Sequence, residues 1–364
     1  MGNFRLKKQT KKIDKKLLIL VISLTLLGLV FVADASAPEA LNVFKDKYYF
    51  VKQQAIWASL GLFLLFLSSF INVNFWKKIA LPLFIVSILF LIAVLIPEFS
   101  LKVMGARRWL VLGPIRFQPS ELIKFSLVLY LAKVADSKKG LWSYFIPLGA
   151  VIFLIILEPD MGTAIVVSII GMSQIFMSEI KIFHYLGTVI LGLFSGLLLI
   201  LSSDYRRDRL LTFLQKSQDP LGRDYHIRQI LLALGSGGLF GVGLGQSRQK
   251  YLFLPEASTD SIFAIIAEEI GFIGGAIIIA LMVWFIFRAF KIAKNAPNTF
   301  SQVAAVGFTC WIAGQAFLNI ASMVALVPLT GIPLPFFSYG GSALTMLLLA
   351  TGIILNISKY ANEK

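Results

Sequence analysis

The chain has 364 residues, of which 57% are hydrophobic and 15% charged, and its formal net charge is +15. A mean hydropathy of +0.82 excludes an ordinary soluble domain. Several stretches reach the ~20 apolar residues that cross a bilayer, so the sequence predicts an all-α polytopic membrane protein. The single cysteine, Cys310, excludes a disulfide framework.

Positive charge is concentrated in a basic tail over residues 1–16, where seven residues are Lys or Arg. Such a cluster before a first span marks the cytoplasmic side, so we interpret it as a topology signal and predict no nucleic-acid partner. We predict no cleavable signal peptide, because the apolar stretch 17–33 is long for one and lacks a convincing cleavage site.

Ten apolar segments follow one another along the chain. Lys and Arg recur in the short loops that would face inwards, so we predict that both termini are cytoplasmic. The large loop 204–259 then lies outside the membrane between the seventh and eighth spans, and residues 1–364 form one membrane domain. The predicted spans are 17–34, 51–72, 79–97, 120–134, 142–157, 162–178, 183–203, 260–289, 301–325 and 337–357.

The outer loop is itself basic. Long loops cross the membrane largely regardless of charge, so this does not change the topology prediction. The basic residues form either a solvated surface on lipid headgroups or a site for an anion such as a diphosphate. We favour the anion because other polar motifs converge on the same face. The residues are Arg206, Arg207, Arg209, Lys216, Arg223, Arg228, Arg248 and Lys250.

The segment 105–124 reads GARRWLVLGPIRFQPSELIK. Its glycines and prolines forbid a continuous helix, so we predict an irregular outer loop or a re-entrant piece. Trp109 is either an interfacial anchor or, with Arg107 and Arg108, part of a site for a sugar–phosphate ligand. Gln118 belongs to the same candidate site.

Glu121 and Lys124 lie three residues apart at the start of the fourth span. At that spacing the two side chains share one helix face and can form an ion pair inside the membrane. A buried pair is weak evidence for stability, so we interpret this pair as a functional or specificity feature.

Two further motifs lie on the predicted outer face. In Glu158–Gly162, Pro159 ends one helix and Asp160 caps the next; a cation contact is the alternative role. The stretch 235–245, GSGGLFGVGLG, matches no nucleotide-binding pattern, and its glycines predict close backbone contact or a re-entrant turn. Gln246–Lys250 then offers several hydrogen-bond donors.

Asp260 lies where the outer loop meets the eighth span. A carboxylate at that depth costs free energy unless it is paired, hydrated or used in function, which favours a functional role for Asp260. Helix capping is the alternative role. On a continuous helix Glu268 falls about 80° from Asp260 and deepens the same polar cavity, whereas Glu269 needs a partner on another helix.

Four motifs occur in order on the predicted outer face: GARRW with FQPSELIK (105–124), EPDMGT (158–163), the stretch 236–275, and GIPLPFFSYGGSAL (331–344). Together they resemble the SEDS family (shape, elongation, division and sporulation), which includes FtsW and RodA. The sequence GQSRQK before LPEAST is more similar to the FtsW branch. One position departs from the family pattern, because Ser261 stands where the family usually has Phe.

The resemblance implies a peptidoglycan glycosyltransferase that polymerises lipid II at the outer face of the bacterial cytoplasmic membrane. Asp260 matches the family's essential catalytic acid, and we predict that it acts as a general base in an inverting reaction with a polyprenyl-diphosphate leaving group. The substrates are lipid II and polyprenyl-diphosphate-linked glycan. The candidate substrate-binding residues are Arg107, Arg108, Trp109, Gln118, Glu121, Lys124, Gln246, Ser247, Arg248, Lys250 and Glu256.

The resemblance also implies a class B penicillin-binding protein, a transpeptidase, as partner, together with other division or elongation proteins. We expect no tightly bound organic cofactor, and a divalent cation, Mg²⁺ or Mn²⁺, is expected to assist without assigned ligands. Septal synthesis is the predicted role and RodA-like elongation the alternative. Two other classes stay open: a flippase for lipid-linked precursors and a non-catalytic scaffold for a transpeptidase.

Overall fold

The computed structural model describes residues 12–103, 106–113, 115–178, 180–201, 207 and 225–361. Gly105, most of the basic tail, and Arg206, Arg209, Lys216 and Arg223 of the basic loop lie outside these residues. The described ranges contain eleven α-helices. They are α1 (Lys15–Phe44), α2 (Tyr49–Phe70), α3 (Val73–Leu95), α4 (Pro119–Asp136), α5 (Trp142–Leu157), α6 (Met161–Phe176), α7 (Ile182–Leu201), α8 (Tyr225–Gly237), α9 (Ile262–Lys294), α10 (Thr299–Met323) and α11 (Gly341–Ser358).

Each of the ten predicted segments overlaps one helix, and α8 is an additional helix in the outer loop. Among the described residues, six helices are long and apolar enough to cross a membrane, namely α1, α2, α3, α9, α10 and α11. Large apolar side chains such as Phe63, Phe183 and Phe287 are exposed, as in helices that face lipid. The count of ten spans and the cytoplasmic termini stay predictions.

The segment between α3 and α4 corrects the all-α prediction. A short 3₁₀ turn (Pro97–Phe99) leads into an antiparallel sheet of β1 (Ser100–Val103), β2 (Ala106–Leu112) and β3 (Ile115–Phe117), in that order. Gly113, at the turn between β2 and β3, has φ of 63°, which suits a tight hairpin. The prediction of an irregular loop missed this sheet because such short strands carry too few residues for a clear alternating pattern.

The two ends of the described chain meet at one end of the helix bundle. Arg288 Nε, near the end of α9, lies 2.8 Å from Asp14 Oδ2, just before α1. The amide of Asp14 donates to Ser358 Oγ at the end of α11, at 3.0 Å. The turn that carries Asp260 precedes α9 and therefore lies at the opposite end of the molecule.

The outer-loop helix α8 runs beside the first turns of α9. His226 Nε2, at the start of α8, lies 2.9 Å from Ser261 Oγ, and Ser236 Oγ, near its end, donates to Glu268 Oε1 at 3.4 Å. Seven residues separate Ser261 from Glu268, so α8 descends about 10 Å along α9 before the glycine-rich stretch begins. The chain then returns to Asp260 through residues 246–259.

The glycine-rich stretch fills a break in α9. Gly271 has φ of 70° and ψ of −173°, which interrupts the helical hydrogen bonds there. The amides of Val242 and Gly243 donate to the carbonyls of Glu268 and Glu269 at 3.0 and 3.1 Å. Backbone groups that the break releases are therefore satisfied by the loop, as a membrane environment requires. The predicted close backbone approach is confirmed.

Asp260 is not the N-cap residue of α9. Helix α9 begins at Ile262 with Ser261 as its N-cap, so Asp260 lies one residue before the cap. The angular prediction for Glu268 was wrong, because Asp260 is not part of a continuous helix. Glu268 turns towards Ser236 and Ser247 instead of the space beside Asp260.

Candidate active site

A cavity of about 220 Å³ opens beside Asp260. Its walls come from β2, the starts of α4 and α6, the turn before α9, α10, and the broken segment 331–340. The polar residues that line it are Arg108, Trp109, Gln118, Glu121, Lys124, Asp160, Thr163, Glu256, Thr259, Asp260, Gln315 and Tyr339. Among the described lining residues there are four carboxylates and two cationic side chains.

Seven of the twelve predicted site residues line this cavity: Arg108, Trp109, Gln118, Glu121, Lys124, Glu256 and Asp260. The other five, Arg107, Gln246, Ser247, Arg248 and Lys250, do not. Arg107 alternates with Arg108 along β2, so its side chain leaves from the other face of the strand, where it reaches Ser100 Oγ at 3.4 Å. The predicted roles in substrate binding stay predictions for all of them.

Neighbouring elements hold the backbone around Asp260. Asn319 Nδ2, on α10, donates to the carbonyls of Asp260 at 2.7 Å and Ile332 at 2.8 Å. Ser338 Oγ donates to the carbonyl of Thr259 at 2.6 Å. The broken segment 331–340 is thus fixed against the Asp260 turn, which agrees with the expectation that irregular backbone at this depth faces protein or a wet cavity.

The residue after Asp260 is tied to the outer loop. Ser261 is fully buried, and its hydroxyl forms the 2.9 Å hydrogen bond with His226 of α8. Ser261 is also the position that departs from the family pattern. We had assigned no role to His226, and the structure shows that it couples α8 to the turn that carries Asp260.

Arg108 and Asp160 form the wall opposite that turn. Arg108 Nε lies 3.6 Å from Asp160 Oδ2, and Arg108 Nη2 donates to the carbonyl of Pro159. Asp160 Oδ1 also accepts from the amide of Thr163 at 3.0 Å, so the predicted capping of α6 is confirmed. Asp160 therefore caps a helix and lines the cavity at once.

Glu158 lies directly behind this pair and is almost completely buried. Neither of its carboxylate oxygens has a hydrogen-bond partner among the described residues. Burial, together with the charge of Asp160, raises the pKa of Glu158 to about 9, although Arg108 acts in the opposite direction. Glu158 is therefore a neutral acid at pH 7.

The deepest part of the cavity contains the predicted ion pair. Lys124 Nζ lies 2.7 Å from Glu121 Oε1, and both side chains are buried. Lys124 also lies 3.4 Å from Gln315 Oε1 and 5.0 Å from the centre of the Trp311 ring. The lysine is thus held by an acid, an amide oxygen and an aromatic face.

A second group of charges, which we name the salt-bridge cluster, consists of Asp34, Ser247, Lys250, Glu268 and Glu269. Lys250 Nζ lies 2.8 Å from both Asp34 Oδ1 and Glu269 Oε1, so it joins α1 to α9. Glu268 accepts from the hydroxyl of Ser247 and, at 3.2 Å, from the amide of Arg248. The cluster anchors the returning chain 246–250, and Glu269 has a partner outside its own helix, as predicted.

The expected divalent cation stays a prediction. Among the described residues, no group of three or more His, Cys, Asp or Glu side chains could hold a metal ion. Asp260 and Glu256 line the same cavity, and Mg²⁺ is commonly held by one or two carboxylates together with water and substrate phosphates, so these two side chains fit a cation that arrives with a diphosphate.

Sequence reasoning missed two polar residues of α10, Gln315 and Asn319. Both are buried, Gln315 at the cavity and Asn319 behind Asp260. The signal in the sequence was an amide side chain inside an apolar span. Such a group is costly in lipid, so each of the two amides should have been expected to have a polar partner.

Comparison with known proteins decides the family. The family model described as "Cell cycle protein", which covers FtsW, RodA and SpoVE, matches residues 15–363. This chain belongs to that family. Stage V sporulation protein E of Bacillus subtilis (strain 168) is 39% identical over 97% of this chain and 99% of its own. A probable peptidoglycan glycosyltransferase FtsW of Trichlorobacter lovleyi is 38% identical over 95% and 93%.

Solved structures of FtsW/RodA/SpoVE relatives agree with the fold. RodA of Thermus thermophilus superimposes with a TM-score of 0.71 at 29% identity, covering 97% of this chain and 98% of its own. A second structure, described as "Structural coordination of polymerization and crosslinking by a peptidoglycan synthase complex", gives a TM-score of 0.76 at 30% identity, with 96% and 99% covered. The predicted resemblance to the SEDS family is confirmed.

Proposed function

We propose that the cavity beside Asp260 is the active site of a lipid II polymerase, with Asp260 as the general base. The observation that carries the proposal is the placement of Asp260 on a cavity lined by carboxylates, in a turn whose backbone Asn319 and Ser338 hold in place. A base must be positioned before its pKa matters, and this turn supplies that positioning.

The predicted enzyme class, a peptidoglycan glycosyltransferase, is confirmed by the relatives. Proteins named as probable FtsW glycosyltransferases from Trichlorobacter lovleyi and Coxiella burnetii are each 38% identical to this chain over at least 95% of its length. The cavity residues lie within that shared length.

In the proposed reaction, Asp260 accepts the proton of a sugar 4-hydroxyl while the hydroxyl oxygen attacks the anomeric carbon of the growing chain. The carbon–oxygen bond to the polyprenyl diphosphate breaks, and the electron pair leaves with the diphosphate. Attack opposite the leaving group inverts the anomeric centre. Positioned base catalysis contributes typically ~10²–10⁴-fold to the rate.

Arg108 is the side chain best placed to stabilise the diphosphate, because it lines the cavity and its guanidinium can form bidentate contacts with phosphate oxygens. Lys124 also lines the cavity but is held by Glu121. Arg107, Arg248 and Lys250 lie off the cavity, so the proposal assigns them no contact with the leaving group. A divalent cation, if held by Asp260 and Glu256, would add positive charge beside the diphosphate; the steps above use only side chains of the protein.

We further propose that the cavity faces the outside of the cytoplasmic membrane and that a class B penicillin-binding protein is the partner. Support for the partner comes from the structural neighbour that is described as a synthase complex coordinating polymerization and crosslinking. The FtsW-like sequence before Asp260 favours a role in septal synthesis. Localisation of the labelled protein at septa rather than along the side wall tests this role.

Polymerisation of labelled lipid II tests the activity. We compare the purified protein with its Asp260→Asn variant, each alone and with a transpeptidase partner. We expect glycan strands from the wild type and a loss of at least ~10²-fold in the variant, with equal thermal stability. An active Asp260→Asn variant would show that another group is the base. Absence of strands in all samples with a competent partner would favour a flippase or a scaffold.

A further inference from the structure

Gln315 lies on the cavity wall and has no role in the mechanism above. Its side chain is 3% exposed. It sits on α10 four residues before Asn319, the residue whose amide holds the carbonyl of Asp260. Four residues make about one helical turn, so Gln315 lies about 6 Å along α10 from the level of Asp260.

Two neighbours determine which way the amide of Gln315 faces. The indole N–H of Trp311 donates to Gln315 Oε1, and Lys124 Nζ lies 3.4 Å from the same oxygen. An indole N–H and an ammonium group can only donate hydrogen bonds. The opposite orientation of the amide would place its NH₂ group against two donors, so the oxygen must face Trp311 and Lys124.

The amide nitrogen is consequently the unused half of this side chain. Gln315 Nε2 has no hydrogen-bond partner among the described residues. It is also absent from the set of side-chain atoms that are both fully buried and unpartnered, so part of its surface is accessible. Because Gln315 lines the cavity, the NH₂ group offers its donors to whatever occupies that space. A polar group held in this way is costly unless water or a ligand supplies an acceptor.

The charge around Gln315 favours a neutral acceptor. The cavity lining has four carboxylates and two cations, and the cation beside Gln315, Lys124, is held by Glu121. Because Lys124 is already paired with Glu121, an anionic oxygen at Gln315 would find no free cation among the described neighbours, whereas a neutral carbonyl oxygen needs only the NH₂ donors. A sugar whose hydroxyl reaches Asp260 can direct a ring substituent one helical turn further along α10.

We propose that Gln315 is a specificity-determining residue that binds the acetamido carbonyl oxygen of an N-acetylated sugar in the lipid-linked substrate. The inference rests on the proposed function, because it assumes that this cavity receives the sugar. It extends that function by assigning a recognition contact to a residue that takes no part in the proton transfer or in leaving-group stabilisation.

Gln315→Glu removes the NH₂ donors of Gln315 with little change in the shape of the side chain. A glutamate retains an oxygen for Trp311 and Lys124 but lacks the NH₂ group. Binding is measured in lipid nanodiscs with three probes: the lipid-linked disaccharide, and two analogues in which one or the other acetamido group is replaced by a hydroxyl. Gln302→Glu, on the same helix but away from the cavity, is the matched control.

We expect the wild type to bind one of the two analogues about 10- to 100-fold more weakly than the natural disaccharide, as for the loss of a buried hydrogen bond. Gln315→Glu should bind the natural disaccharide with the same 10- to 100-fold loss and should no longer distinguish it from that analogue. The Gln302→Glu control should retain the wild-type preference. A second variant, Gln315→Met, should behave like Gln315→Glu and covers the case in which the glutamate destabilises the protein.

The inference is overturned if the wild type binds all three probes equally or not at all, or if stable Gln315→Glu and Gln315→Met variants keep the wild-type preference. Binding needs no turnover, so it fails or succeeds independently of the polymerisation assay. Selective binding through Gln315 without strand formation would reject only the proposed enzymatic activity. Strand formation without selective binding would reject only the role of Gln315.

Discussion

The cavity beside Asp260 and the salt-bridge cluster around Lys250 are two groups of charged side chains at the same end of α9, yet they are built differently. In the cluster, Lys250 contacts Asp34 and Glu269, and Glu268 accepts from backbone and hydroxyl donors of the same chain. In the cavity, carboxylates line a space of about 220 Å³.

This difference separates structural from functional charge. A buried charge must be compensated, and a protein can supply the compensation from its own atoms or leave it to water and ligands. The cluster uses the first solution and fixes the returning chain 246–250. In the cavity, Glu121 and Asp160 also have partners, Lys124 and Arg108, but these charged groups border an open space in which a substrate can bind. Three substitutions test this division.

The largest effect on stability is expected from Lys250→Met. Removing the ammonium leaves the buried carboxylate of Glu269 without its cation and beside the partly exposed carboxylate of Asp34, which should lower the free energy of unfolding by about 3–5 kcal/mol. Arg248→Met is the control, since Arg248 is exposed and should cost less than about 0.5 kcal/mol. Denaturant titration in detergent measures both.

The same variant distinguishes the cluster from a substrate site. If Lys250 is structural, the KM for lipid II of the folded fraction should equal that of the wild type. A stable Lys250→Met protein with a strongly raised KM would contradict the structural interpretation and support the substrate-binding role first predicted for this residue.

A smaller loss of stability is expected from Gly241→Ala. Gly241 has φ of 83°, and a Cβ atom there would lie 2.1 Å from the carbonyl oxygen of Glu269, beside the break in α9. Backbone strain and steric overlap together should cost about 2–4 kcal/mol. Gly235→Ala is the matched control, because no atom lies within 4 Å of its added Cβ and Ala favours the helix.

Thermal unfolding in detergent gives the order of these two glycine variants. We expect a clearly lower midpoint for Gly241→Ala and an equal or higher midpoint for Gly235→Ala. Equal midpoints for both would mean that the glycine loop does not support the break in α9.

A further effect, a dependence of stability on pH, is expected at Glu158, whose buried carboxyl group avoids a charge by keeping its proton. The pKa of Glu158 rises from an ordinary 4.5 to about 9. Between these values the folded protein holds one more proton than the unfolded chain. Stability therefore falls as the pH rises through this window, by at most about 1.4 kcal/mol per pH unit.

Glu158→Gln removes this dependence because the amide has no proton to release. Thermal midpoints between pH 5 and pH 9 should fall more steeply for the wild type than for Glu158→Gln, and the variant should be the more stable protein at pH 8. Glu98→Gln, at an exposed position, should follow the wild-type curve. Parallel curves for all three proteins would show that Glu158 is ionised in the folded state.

Much of the site followed from sequence because its residues belong to local motifs. The ion pair of Glu121 and Lys124 needs only helical spacing, and the capping by Asp160 needs only the helix that follows it. Ser247 and Lys250 were assigned to the cavity because they precede Asp260 in sequence. The return of the chain from the glycine loop places them beside Glu268 and Glu269 instead.

The sequence by itself determined the ten apolar segments and the family, and it singled out Asp260 as the predicted catalytic acid, since hydrophobic length and ordered motifs are local properties. The tertiary structure decided which charges are compensated inside the chain and which face the cavity. It also decided that α8 and the glycine loop fill the break in α9, and that Asn319 and Gln315 belong to the site. Those outcomes depend on contacts between residues far apart in sequence, and no local pattern encodes them.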